Sequence, residues 1–287
     1  MDTVAELLRS AAERHPGRVA VAGADGTTTT YGGLFGAAAR AANALLAQGL
    51  HPGDRVVAWM TDGPRYVELY AACALAGLVV VPVNARYTAH EARHLVVDSG
   101  ARALVYSPAM LERVEALADV LADVRLVVDG PAPPGQLSYR DIRDGGAADP
   151  PPLPDRDALY ILGYTSGTTG KPKGARLTQG SVSAIARLNA LSYRLPVGSV
   201  AALTGSMSFV AVVPAHIFSH FYVGGTVVFL GEWDVESLSH TIAQRRATFT
   251  YAPSPLLTEI TRSWQQHPRR WNSLTTVLHS ASKAASD

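Results

Sequence analysis

The chain has 287 residues, with 25 Lys plus Arg against 24 Asp plus Glu, and 47% of its residues are hydrophobic against 17% charged. At about 150 residues per domain this length predicts two lobes and a sizeable core, and a net charge of +1 argues against both a disordered chain and a strongly basic nucleic-acid binder. One cysteine, Cys73, excludes an internal disulfide and a thiolate zinc cluster and predicts a reducing, cytoplasmic setting; the opening residues carry Asp2, Glu6 and Glu13 without an apolar leader core, and no apolar run is long enough for a membrane span.

Thr3 and Glu6 have the spacing of a capping box, and Val4, Leu7, Leu8 and Ala11 then share one helical face, so the chain opens with an amphipathic helix that ends before Pro16. Residues 18–22 and 27–31 are β-prone runs around Gly23-Ala24-Asp25-Gly26, a hairpin pattern, and an alanine-rich helix follows over 33–48. Strands at 56–60, 78–83, 103–106 and 125–128 then alternate with helices at 64–76, after the Thr88–Glu91 cap, and at 109–122. Short valine-rich strands alternating with helices predict βαβ units and a mostly parallel sheet covered on both faces.

Proline-rich stretches at 131–135 and 150–154 bracket a polar segment that reads as a surface connection, dividing the chain into a first α/β subdomain over 1–150 and a second over 151–287. Beyond it come a strand at 159–164, a loop at 165–174, a helix at 181–191, an apolar helix at 210–222, a strand at 225–230, a helix at 235–246, a strand at 248–251, a helix opening at Pro255 and a strand at 275–279. The fold class is α/β, with mostly parallel sheets flanked by helices.

Chemistry concentrates in Tyr164-Thr165-Ser166-Gly167-Thr168-Thr169-Gly170-Lys171-Pro172-Lys173-Gly174. Glycines let backbone N–H groups converge on an anion, the hydroxyls of Thr165, Ser166, Thr168 and Thr169 can donate to phosphate oxygens, and Lys173 adds a point charge. Such a loop suits a polyphosphate. It is not a Walker A loop, because position 165 is threonine where the first glycine belongs and Pro172 replaces the final hydroxyl. A serine-hydrolase elbow fails as well, since Gly163-Tyr164-Thr165-Ser166-Gly167 has threonine at the nucleophile position.

This segment resembles the phosphate-binding signature of the AMP-forming adenylate superfamily, the acyl-CoA synthetases, adenylation domains and luciferases. Weaker matches in the expected order are Gly53-Asp54-Arg55-Val56, Ala76-Gly77-Leu78-Val79, Val81-Pro82-Val83-Asn84 and Gly224-Gly225-Thr226-Val227-Val228. The resemblance implies the large N-terminal domain of such enzymes. It also implies a reaction in which a carboxylic acid and ATP give acyl-AMP and pyrophosphate, followed by thioester formation with coenzyme A. Carried onto this sequence, Ser166, Gly167, Thr168, Thr169 and Gly170 hold phosphates, Thr165 helps hold Mg²⁺, and Thr165 and Lys173 are the catalytic contacts. Ser280, Ala281 and Ser282, after the last strand, stand where the family places its adenine-contacting Gly-Gly-Ala element.

Two departures matter. The family's aromatic-histidine pair at the acyl pocket falls at Ser208 and Phe209, so the histidine is missing; His216 and His220, four apart, are candidates to replace it or to form a metal pair, and the pocket is assigned to Phe209 and His216. The apolar runs at 209–213 and 218–223 favour an acyl or aryl acid over an amino acid. The family's Tyr-Gly-x-Thr-Glu element, ribose-binding aspartate and mobile C-terminal domain are not found here, so the chain is read as an N-terminal portion, inactive alone, whose remaining portion acts in cis or in trans. The alternatives are a variant that converts only preformed acyl-AMP to thioester, or a non-catalytic scaffold half that pairs with another chain.

Overall fold

Thr3 caps the first helix through a reciprocal box with Glu6, fixing α1 (Val4–Arg14) with Val4, Leu7, Leu8 and Ala11 all buried. A computed structural model of the protein describes residues 1–165, 172–252 and 254–279. After α1 come the antiparallel pair β1 (Val19–Ala22) and β2 (Thr28–Thr30), then α2 (Tyr31–Ala47), β3 (Arg55–Trp59), α3 (Pro64–Ala76), β4 (Val79–Pro82), α4 (Ala89–Ser99) and β5 (Ala103–Tyr106). The chain continues through α5 (Leu111–Glu115), β6 (Arg125–Val128), β7 (Leu137–Ser138), α6 (Tyr139–Asp144), β8 (Leu159–Thr165), β9 (Lys173–Thr178) and α7 (Gln179–Ser192). It closes with β10 (Val200–Leu203), α8 (Ser219–Tyr222), β11 (Thr226–Phe229), α9 (Val235–Arg245), β12 (Phe249–Ala252), α10 (Leu257–Gln266) and β13 (Thr276–His279).

The strands form two sheets, ordered β13-β12-β10-β11-β1-β2 and β7-β6-β5-β3-β4-β8-β9. Each is parallel except for one antiparallel edge pair, β1 with β2 and β8 with β9. Alternation along the strands splits their side chains between clusters. Val56, Ala58 and Val80 join a core that also holds Val21, Ala201 and Val227 of the other sheet together with the inner faces of α1, α2, α3 and α7. Val57, Trp59 and Val81 face the opposite way, onto Ala92, Leu95 and Val96 of α4 and Val114 of α5. The six-stranded sheet is covered on its outer side by α9 and α10, through Leu238, Ile242 and Ile260. The result is helix, sheet, helix, sheet, helix, in which a central strand has no wet face, and this is why the strands read as unbroken valine runs.

Several expectations are corrected. The predicted helix over 109–122 is interrupted: only α5 is α-helical, with 3₁₀ turns at Pro108–Met110 and Ala118–Val120. Met110, Val114, Leu117 and Leu121 are nonetheless all buried, so apolar spacing kept the face while the hydrogen bonds tightened to i→i+3. The polar connection between the proline stretches contains β7 and α6, and Tyr139 of α6 is fully buried. Strands from both sides of residue 150 enter both sheets, since β1 and β2 pair beside β11 while β8 and β9 extend the sheet of β3 to β7. β10 carries no sequence signal of a strand: Val-Ala-Ala-Leu has no alternation to detect, yet it lies inside the six-stranded sheet between β11 and β12.

One buried charge ties α3 to α6. Glu68, 6% exposed, accepts from Arg65 at 2.7 Å and lies 3.4 Å from Arg143. Removing Glu68 takes a charge-assisted hydrogen bond from each arginine, while Asp129 stays 3.3 Å from Arg65 and Asp144 2.6 Å from Arg143. Glu68→Ala is therefore expected to cost about 2 kcal/mol in urea unfolding, while Asp157→Ala, at an ion pair exposed to water, shifts the midpoint negligibly.

Candidate functional site

The two described ends of the signature segment lie on paired strands. β8 and β9 pair antiparallel with Thr165 opposite Lys173, Tyr164 opposite Gly174 and Gly163 opposite Ala175. The expected loop over 165–174 is thereby corrected: Lys173 and Gly174 are strand residues, which their glycine-rich, charged composition does not announce. Thr165 and Lys173 are both exposed, and as directly opposed residues they share one face of the hairpin. Ser166, Gly167, Thr168, Thr169 and Gly170 lie outside the described residues, as do Ser280, Ala281 and Ser282.

Two glycines set the faces. A Cβ on Gly163 would stand 2.5 Å from Val210 Cγ2, so the segment after β10 presses directly onto β8. By alternation Thr165, two residues on, lies on this same Val210 side. A Cβ on Gly174 would come within 2.7 Å of Leu162 Cδ1 and 3.5 Å of the Tyr164 ring, which places those side chains on the reverse face. There the Tyr164 hydroxyl donates to Asp98 of α4 at 2.6 Å, and His94 Nε2 lies 3.0 Å from the Pro172 carbonyl. The Tyr164 hydroxyl is pushed above its ordinary pKa by burial and by the Asp98 carboxylate beside it. Neither His94 nor Asp98 was legible in the sequence, because the contact bridges 66 to 78 residues.

The segment bearing Phe209 is pinned from below. Met207 donates its N–H to Asp62 at 2.9 Å and accepts from the Tyr70 hydroxyl at 3.2 Å, while Phe209 itself is 61% exposed. Burial raises the Asp62 pKa against the lowering effect of the Met207 N–H and the Ser206 hydroxyl.

His216 is placed quite differently. The expected helix over 210–222 is a π-helix at Val213–Phe218 followed by α8. Pro214 has no N–H to continue an α-ladder, and a widened turn leaves carbonyls that side chains then take: Ser219 Oγ donates to Ala215 O at 2.6 Å and His220 Nδ1 to His216 O at 2.5 Å. His220 is fully buried, and His216 is 5% exposed among the rings of Tyr193, Phe249 and Tyr251. Among the described residues, no group of three or more His, Cys, Asp or Glu stands close enough to hold a metal ion. The structure thus brings Thr165 and Lys173 together, sets Phe209 on a segment touching the same face, and keeps His216 in the core.

A cavity of about 680 Å³ opens elsewhere, lined by Arg65, Glu68, Asp129 and Arg143. Both arginines are already paired with Glu68, so it offers phosphate little free positive charge.

The sequence family described as AMP-binding enzyme matches residues 8–287. Among curated relatives, a feruloyl-CoA synthase from Amycolatopsis sp is 34% identical over 249 residues, covering 86% of this chain and 47% of its own length. An indoleacetate–CoA ligase from Aromatoleum aromaticum is 31% identical over 240 residues, covering 82% and 47%. The apo structure of MbtA from Mycobacterium smegmatis superposes with a TM-score of 0.88 at 26% identity, covering 99% of this chain and 53% of that one. The chain spans about half the length of the curated relatives it matches.

The two core histidines make stability depend on pH. Burial depresses both to about 4, below the ordinary 6.5. An unfolded chain takes up these protons below pH 6.5 and the folded chain only near pH 4, so stability falls as pH drops through that window. His216→Phe should remove about 2 to 3 kcal/mol of the loss between pH 7 and pH 4.5. Urea unfolding at the two pH values measures it, and an unchanged difference would show that His216 is not held neutral.

Proposed function

The chain belongs to the AMP-binding enzyme family, and from that premise we propose that the protein takes part in activating a carboxylic acid with ATP and passing the acyl group to coenzyme A. One acid oxygen attacks the α-phosphorus, the bond from that phosphorus to the pyrophosphate oxygen breaks, and acyl-AMP and pyrophosphate form. The thiol sulfur of coenzyme A then displaces AMP, losing its proton. Because anion meets anion in the first step, the protein's task is positioning and charge neutralisation, with no protein nucleophile.

The observation that supports this reading is the exposed Thr165–Lys173 pair closing a hairpin at the carboxyl end of a strand that runs parallel to β4. Carboxyl ends of parallel strands are where open α/β sheets bind ligands. In this proposal the Lys173 ammonium neutralises phosphate oxygens, and the Thr165 hydroxyl contacts a phosphate and its Mg²⁺. Ser166 to Gly170 supply further N–H and hydroxyl donors, and Ser280, Ala281 and Ser282 accept the adenine face. The exposed Thr165 hydroxyl would offer Mg²⁺ one neutral oxygen, which suits an ion that keeps several waters and binds largely through substrate phosphates. When bound it supplies further neutralisation of the triphosphate.

For the acid we propose an aryl or other apolar carboxylate. Phe209 offers an exposed apolar surface on the segment pressed against β8. Relatives named for feruloyl and indoleacetate substrates agree with this class.

The test uses the native full-length polypeptide with a panel of aryl and alkyl acids, following acid-dependent pyrophosphate release. Thr165→Ala combined with Lys173→Ala is expected to lower release by on the order of 10²-fold or more; unchanged release removes the phosphate assignment. An aryl acid is expected to outperform its polar amino-acid counterpart, and the reverse order removes the substrate class.

A further inference from the structure

We infer that α4 positions the phosphate loop, with His94 and Asp98 fixing the two strands at the loop's base. The inference rests on the phosphate-loop reading above and adds residues that the signature does not contain.

Loop amides stabilise an anion only when they are held in place before it arrives, and that hold must come from residues whose own positions are locked. The loop leaves β8 after Thr165 and returns at Lys173. The residue preceding each of these two is tied to α4: Tyr164 through its hydroxyl to Asp98 at 2.6 Å, and Pro172 through its carbonyl to His94 at 3.0 Å. A carbonyl only accepts, so His94 Nε2 carries the proton in this bond. His94 and Asp98 are four residues apart and therefore share a face of α4. The His94 ring also meets the Tyr164 ring edge to face, centroids 6.0 Å apart at 81°.

The brace is itself anchored. α4 starts at a capping box, with Thr88 N donating to Glu91 at 2.7 Å, and buries Ala92, Leu95 and Val96 under the seven-stranded sheet. Gly174 stands directly opposite Tyr164 in the ladder, and a Cβ there would press on Leu162 at 2.7 Å while meeting the Tyr164 ring at ordinary contact distance. The hairpin thus turns Tyr164 to the brace on one face while Thr165 and Lys173 serve the ligand on the other.

Calorimetric binding of MgATP to the native full-length polypeptide tests this, with Thr165→Ala/Lys173→Ala as reference and thermal melting and the acid KM recorded alongside. His94→Ala/Asp98→Ala is expected to weaken MgATP binding about tenfold or more, with melting temperature and acid KM unchanged. His94→Gln, whose amide N–H reaches the position of Nε2, combined with native Asp98, is expected to bind within about threefold of the parent. If the reference loses MgATP while His94→Ala/Asp98→Ala binds like the parent, the brace is overturned and the phosphate reading stands. If the reference binds like the parent, the phosphate reading falls and takes the brace with it. A double variant that melts early and loses acid and nucleotide together shows general structural damage and also overturns the brace.

Discussion

Everything proposed for this protein depends on the antiparallel pairing of β8 with β9. β8 enters the seven-stranded sheet parallel to β4, and had the chain crossed over to another parallel strand, as it does elsewhere in this sheet, Lys173 would have no fixed relation to Thr165. Reversing direction at the sheet edge instead sets the two residues directly opposite each other. A ladder reaching from Leu159 and Thr178 to Thr165 and Lys173 holds the base of the segment. An edge position is what makes this possible, because a central strand carries neighbours on both sides and helices on both faces.

The core behind the site keeps an unusual polar element. A π-turn beginning beside Pro214 frees backbone carbonyls, and a serine hydroxyl and an imidazole occupy them instead of N–H groups. The cost is two imidazoles held neutral in aromatic surroundings, with His216 Nδ1 and His220 Nε2 lacking hydrogen-bond partners. His220 therefore has a structural role that accounts for it fully. His216, one turn earlier, is 5% exposed and packs among the rings of Tyr193, Phe249 and Tyr251.

The sequence was most legible where local chemistry decides structure by itself. The Thr3–Glu6 and Thr88–Glu91 boxes, Pro64 at the start of α3 and the valine runs of β4 and β6 each specify an element without help from distant residues, and each formed as expected. It was least legible where tertiary context overrides composition. β10 is built of small residues and is a strand only because β11 and β12 flank it. β9 carries lysine, glycine and arginine and is a strand only because β8 offers a ladder. For the site, hydroxyls, glycines and lysine announced an anion, whereas the support from α4 could not be read because nothing local links His94 to Pro172.

Pleating then explains how one short hairpin can serve two purposes without conflict. Successive side chains point to opposite faces, so Gly163 and Thr165 look toward the segment bearing Phe209 while Leu162 and Tyr164 look toward α4. Ligand groups and support groups alternate along the same strand and never compete for space. A one-residue slip in the β8–β9 register would exchange the two sets, burying Thr165 against α4 and turning Tyr164 toward the ligand side. The close contact of Gly163 with Val210 opposes that slip, since a Cβ moved there would stand 2.8 Å from Val210 Cβ. The glycine before the signature segment therefore fixes which face carries the chemistry.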